Sequence, residues 1–353
     1  MDKRRSNLII LILIFSFLAI IWLSINLFND GNNKSNEPVV KKDYINYISF
    51  SADGKKLIFD RQRDKSAYQI QVYDLETNEL SAYKTYPNEQ WTMARYSFDG
   101  KHIVLSTIPK GPSGLDLSNM QLLMMDPNGE NKRLITNSIG PKIYPSFSHS
   151  GDKIIYAKAG NIREHGRTPA ADYDIFEVDI KNGYETRLTW FKFFVIFPPY
   201  LFPDDNTIIS GAVDPPGMEN IKCKNLTKEY VFILVKGQRD SLESLVCTKF
   251  GNRNGLISWD GKHIYFKATA QNPDGIHGDG DQYFEYIKYG EYHQITQMSR
   301  STFIKSAALS YDWRYLALIV IDKSIKIKIC NIETGNSRTL ILPDKPTRII
   351  NGN

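Results

Sequence analysis

Cysteine is scarce: the chain has three in 353 residues. None stands in C-x-x-C spacing, so a disulfide scaffold and a zinc ribbon are both excluded. Several catalytic signatures are missing too. There is no G-x-S-x-G, no H-E-x-x-H and no P-loop. Ser150-Gly151-Asp152-Lys153 matches S-x-x-K in form only, because it falls on a repeated turn. Charge of one sign is not in excess: the net is +5, and Asp2, Lys3, Arg4 and Arg5 carry +2 of it. A dedicated nucleic-acid binder would show a concentrated basic stripe, so no nucleic-acid partner is expected. No segment after Phe28 sustains a helical period. The rest is ordinary: 42% hydrophobic and 24% charged residues are enough to bury a core, which excludes global disorder.

The one long apolar run is Leu8–Phe28, which is uncharged. As a helix it would be roughly 31 Å long, enough to cross a bilayer core. A cleaved signal peptide is the competing reading, but the run is long and no A-x-A site follows. The expectation is a signal-anchor over 7–28. Lys3, Arg4 and Arg5 would hold the tail 1–6 in the cytoplasm, with the remainder in the periplasm or outside the cell. Residues 29–43 are polar and rich in turn formers, as a tether would be.

Beyond the tether the chain repeats. Ile48–Ile58, Ala94–Val104, Pro145–Ile155, Pro199–Ile209, Gly255–Tyr265 and Ala307–Ala317 align without gaps. Their turn positions Asp53, Asp99, Ser150, Asp204, Asp260 and Asp312 are 46, 51, 54, 56 and 52 residues apart. Asp-Gly suits a tight hairpin, and the flanks read as strands. Most repeats carry a second hairpin, with turns at Glu76-Thr77-Asn78, Pro127-Asn128-Gly129, Lys181-Asn182-Gly183 and Glu333-Thr334-Gly335. Two hairpins make four antiparallel strands. Six such units predict an all-β, six-bladed propeller over 44–343, with 344–353 as a tail.

Blade three carries the fullest unit: Pro145-Ser146-Phe147-Ser148, then Asp174–Asp179, then Arg187-Leu188-Thr189. Arg133-Leu134-Ile135-Thr136 and Gln294-Ile295-Thr296 end blades two and five in the same way. This unit resembles the PD40 repeat of TolB-type propellers. The resemblance spans about 44–343 and implies the fold; the repeat occurs both in binding proteins and beside peptidase domains. Where TolB has an α/β domain before the propeller, this sequence has the apolar run and tether.

Connections between strands two and three look long in blades two to five, at 106–120, 157–173, 211–229 and 267–282. They nominate their face as the binding surface. His165 and His277 fall there, with Arg163 and Arg167 beside one and Asp279 and Asp281 beside the other. A shared acid–base site would make the protein a lyase or hydrolase on a saccharide or small substrate; polar loop decoration is the plainer reading. Asp274, Asp279 and Asp281 could also offer oxygens to calcium, although the spacing is not that of an EF-hand. No other cofactor is expected. The stretch Trp190–Tyr200 holds six aromatics, which either pack between blades or form a patch for a partner. Phe193 and Phe194 are the residues expected to be exposed. Trp91, Tyr144, Arg253 and Arg300 are candidates for the channel mouth. His102, His149 and His263 read as uneventful turn or strand-start residues. Cys223 and Cys247 are placed to pair if the domain is outside the cytoplasm; Cys330 reads as core. The leading expectation is a membrane-anchored scaffold that binds a protein, peptide or envelope component.

Overall fold

Apolar runs such as Leu57-Ile58-Phe59 need a fold that buries both faces of a strand. The computed structural model describes residues 43–63, 67–162, 170–215, 228–238, 242–246, 248, 251–271, 278–288, 291–299 and 301–351. It answers that need with six radially arranged sheets. Blade 1 holds β1 (Asp43–Phe50), β2 (Lys56–Arg63), β3 (Gln69–Asp74) and β4 (Leu80–Tyr83). Blade 2 holds β5 (Glu89–Tyr96), β6 (Ile103–Gly111), a short β7 (Gly114–Leu115), β8 (Gln121–Met125) and β9 (Arg133–Leu134). Blade 3 is β10 (Lys142–Phe147), β11 (Lys153–Ile162), β12 (Ala170–Asp179) and β13 (Glu185–Arg187). In blade 4 the inner strand is split into β14 (Val195–Ile196) and β15 (Tyr200–Leu201), both paired with β16 (Thr207–Val213); β17 (Glu229–Val235) and β18 (Glu243–Ser244) follow. Pro198 and Pro199 explain the split, since proline has no N–H to give the ladder. Blade 5 is β19 (Asn252–Ile257), β20 (Ile264–Gln271), β21 (Gly278–Lys288) and β22 (Glu291–Gln294). Blade 6 is β23 (Phe303–Leu309), β24 (Tyr315–Ile321), β25 (Ile325–Asn331) and β26 (Ser337–Thr339).

The period-two rule sorts each apolar run between two neighbours. Leu57 and Phe59 join a cluster with Ala317, Ile319 and Ile327 of blade 6, while Ile58 joins Trp91, Ile103 and Leu105 of blade 2. Val104 turns the other way, to Phe147, Ile154 and Tyr156 of blade 3. In this way each junction between adjacent blades acquires its own core.

The S-x-D turns repeat in atomic detail. Ser97 Oγ donates to Asp99 at 2.7 Å and accepts from His102 N at 2.9 Å. Ser258 does the same with Asp260 and His263, and Ser310 with Asp312 and Tyr315. These serine hydrogen bonds hold Asp99 and Asp260 below the usual carboxylate range.

One expectation changes. Two of the long connections hold much strand: β11 and β12 run ten residues each, so 157–162 and 170–173 are strand, and much of 267–282 is β20 and β21. The β11–β12 ladder runs out to Ile162 opposite Ala170. The C-terminal segment joins the first blade. β27 (Arg348–Ile350) lies parallel to β4 as a fifth strand of blade 1. Every blade thus keeps four antiparallel strand positions; β27 is added to blade 1, the two-residue β7 folds back on β6 in blade 2, and β14 and β15 share the inner position of blade 4. Among the described residues no helix is long and apolar enough to cross a membrane; Leu8–Phe28 lies outside them.

Candidate functional site

The crossover from blade 3 to blade 4 is built from one carboxylate. Asp174 of β12 is 2% exposed. It accepts hydrogen bonds from Phe191 N at 2.8 Å, Lys192 N at 3.2 Å and Thr189 Oγ1 at 2.9 Å, and it pairs with Arg187. Tyr173 and Phe193 then exchange both backbone bonds at 2.8 Å. The segment is therefore pinned at both ends, Lys192 turns through the left-handed region at φ 54, and the side chains from Trp190 to Phe194 lie alternately out and in. Phe191 and Phe193 point in, where Phe193 stacks on Phe232 with centroids 5.5 Å apart. Trp190 and Phe194 stay at the surface, 38% and 47% exposed. The Arg187 guanidinium lies 5.7 Å from the Trp190 ring centroid. Phe193 was expected beside Phe194 as an exposed residue. The Tyr173–Phe193 bridge corrects this: it turns Phe193 into the core, where it is fully buried, and leaves Phe194 outside.

In the channel, the inner strands of blades 1, 2, 3, 5 and 6 each carry a register shift near mid-strand. Tyr47, Met93, Tyr144 and Asn254 take positive φ there, which re-aims their side chains. Tyr47 and Tyr144 meet edge to face at 5.6 Å, and Tyr144 N lies 3.2 Å from Met93 Sδ. Asp60 of β2, fully buried, bonds to Thr92 Oγ1 and to Met93 N at 3.1 Å. Burial pushes its carboxyl up to about 7, against those two hydrogen bonds and the charge of Lys305. Burial likewise brings Lys305 down to about 8, against the pull of Asp60.

The other end of the channel is capped. The position between Ser and Asp of the repeat is Phe98, His149, Trp259 and Tyr311 in blades 2, 3, 5 and 6. These rings converge: Phe98 lies 4.6 Å from His149, 4.5 Å from Trp259 and 5.2 Å from Tyr311. Arg95 lies beneath, donating to Tyr200 Oη at 2.8 Å. The cavity left here is about 60 Å³, room for a few waters and far below a substrate pocket. His149, expected to be uneventful, stacks on Trp259 at 4.4 Å, and burial lowers its pKa. The signal was in the sequence: four aromatic rings at one repeat position.

The other sequence candidates separate. Trp91 is buried between blades 1 and 2, where its ring lies 5.0 Å from that of Tyr86. Arg253 pairs with Glu229 at 3.0 Å. Asp281 is buried and held by Lys267 at 2.8 Å and by Ile304 N at 2.9 Å. Cys330 is a buried free thiol. Arg163, His165, Arg167, Cys223, Cys247, Asp274, His277 and Arg300 lie outside the described residues, as does the side chain of Asp279. Asp60, Arg95, Asp174 and Lys305 are not among the sequence candidates, because burial of a charge within a strand leaves no mark in composition.

No protein-family model and no curated protein matches the sequence. Solved structures match in shape. TolB from Acinetobacter baumannii aligns with a TM-score of 0.58 at 15% identity, over 86% of this chain and 64% of that one. The chain thus spans less than two thirds of the TolB chain. An oligogalacturonate lyase in complex with manganese gives 0.54 at 14% identity, covering 87% of this chain and 80% of that one. The β-propeller domain of the Trilobed protease from Pyrococcus furiosus gives 0.50 at 15% identity, covering 86% and 85%. At such identities the likeness shows the fold: a six-bladed propeller of the TolB type.

Proposed function

We propose that this protein is a binding propeller, held at a membrane by Leu8–Phe28, that receives a protein or peptide partner on the face carrying the strand-two-to-three connections. One observation carries the reading: Trp190 and Phe194 stand exposed on a crossover locked by Asp174. Apolar aromatics beside an arginine, on backbone that loses no freedom on binding, have the chemistry of interface hot spots. The small cavity under the aromatic cap argues against a reaction chamber at that end. Protein binding also fits the general use of propeller surfaces, which is an argument from fold alone.

The test uses the full chain in its own membranes. A photo-crosslinking phenylalanine analogue replaces Phe194 in one variant and the exposed Ile341 in another. After an alkaline wash, the chain should stay in the membrane fraction. Position 194 should give one defined adduct, weakened at least fivefold by Trp190→Ser, and position 341 none. Release by the wash would overturn the anchor. Equal labelling from both positions, or none from 194, would overturn the binding face.

A further inference from the structure

A second cavity, of about 470 Å³, lies between blades 5 and 6 at the end of the strand-one-to-two turns. That is the size of a ligand site, not of a packing gap. Trp313, Tyr265 and Ile332 supply its apolar wall. Glu285 of β21 stands inside with an imidazole on each oxygen: His263 Nδ1 at 2.7 Å and His293 Nε2 at 3.2 Å. Asp312 and Glu333 complete the lining. Against these three carboxylates stands one guanidinium, Arg314, whose side chain is 75% exposed. The lining is thus apolar in body and negative in charge.

The wall contains an anomaly. Gly54, Gly100, Gly151 and Gly261 occupy one position of the repeated turn, at φ from 71 to 77. Blade 6 has Trp313 there, at φ 47, still donating its N–H to Ser310 O at 2.9 Å. Bulky L-residues avoid this left-handed region, and such departures concentrate where a side chain is used.

We propose that this groove binds a lysine or arginine side chain presented by a polypeptide partner. The aliphatic stem would lie along Trp313 and Ile332, with the cationic head against the indole face and toward Glu285 and Glu333. Charge complementarity selects this occupant: an acidic segment would meet three carboxylates, and a purely apolar one would bury them without compensation. The site is at the opposite end of the blades from Trp190 and Phe194 and does not depend on them.

The experiment is ligand-observed saturation-transfer NMR on the full chain in detergent. The probes are acetyl-Gly-X-Gly-amide peptides in which X is lysine, arginine, norleucine or glutamate. Lysine and arginine peptides should saturate with a dissociation constant of roughly 1 mM, a magnitude fitting a single side chain. Norleucine and glutamate peptides should bind at least tenfold more weakly. Trp313→Gly should weaken lysine binding at least tenfold without lowering the melting temperature, because glycine suits the turn. Glu285→Gln should do so through charge alone, with the wall intact. Equal binding of norleucine, preference for glutamate, no saturation, or unchanged binding by Glu285→Gln would each overturn the proposal.

Discussion

At the scale of single residues, Asp60 has the clearest consequence. Its carboxyl is fully buried, its pKa stands near 7, and its ordinary value is 3.8. Between those values the folded chain holds a proton that the unfolded chain has released. Stability from this group is therefore present at low pH and declines as pH rises from about 4 to about 7. Asp60→Asn should flatten that part of the stability–pH profile, measured by urea midpoint, while keeping an acceptor for Met93 N. A profile of unchanged slope would show that Asp60 is ionised in the fold. Asp174 is the counterpart on the crossover: its charge is consumed by two backbone N–H groups, a hydroxyl and a guanidinium, and what it yields is geometry.

At the scale of elements, the sequence located every blade through its first turn: blades 1, 2 and 5 carry Ser-x-Asp-Gly, and the other three align with it despite Ser150, Asp205 and Trp313. It was less informative about length. β11 and β12 extend well past the expected strand ends because their residues alternate weakly, with Lys158, Gly160 and Asp172 interrupting the apolar pattern. The split inner strand of blade 4 follows from Pro198-Pro199. The exposed half of the aromatic stretch depended on a register that only Asp174 and the Tyr173–Phe193 bridge establish. The aromatic cap was legible as a column of the repeat, but nothing local says that four blades bring that column to one point. Gly255 shows how tightly adjacent blades approach. A Cβ there would lie 2.8 Å from Ile209 Cδ1 and 2.9 Å from Val231 Cγ1, both in blade 4. Gly255→Val should cost about 1–3 kcal/mol by overpacking, read as a lower denaturant midpoint, with tryptophan fluorescence of the folded state retained.

At the scale of the whole molecule, the ring is closed by contact and by a clasp. The inner strands β1 and β23 pack side by side. Arg61 then binds both ends of the propeller, pairing with Asp43 at 2.6 Å and donating to Pro343 O at 2.8 Å. β27 completes the arrangement along β4, with Thr347 N donating to Leu80 O and Lys84 N to Ile350 O. Removing residues 342–353 should cost about 2–4 kcal/mol, from a few hydrogen bonds at roughly 1 kcal/mol each. Hydrogen exchange should rise in β3 and β4 and stay unchanged in blade 4. Unchanged exchange in blade 1 would mean that the clasp contributes nothing to closure.

The clasp also sets an order of events. Leu80 and Thr347 are 267 residues apart. At translation rates of about 5–20 residues per second, the outer edge of blade 1 waits roughly 15–50 s for its partner. For that interval β4 is an open template on which any strand can pair. A nascent chain is therefore most exposed to strand exchange with its neighbours at its first blade, and a slow or stalled ribosome prolongs the hazard.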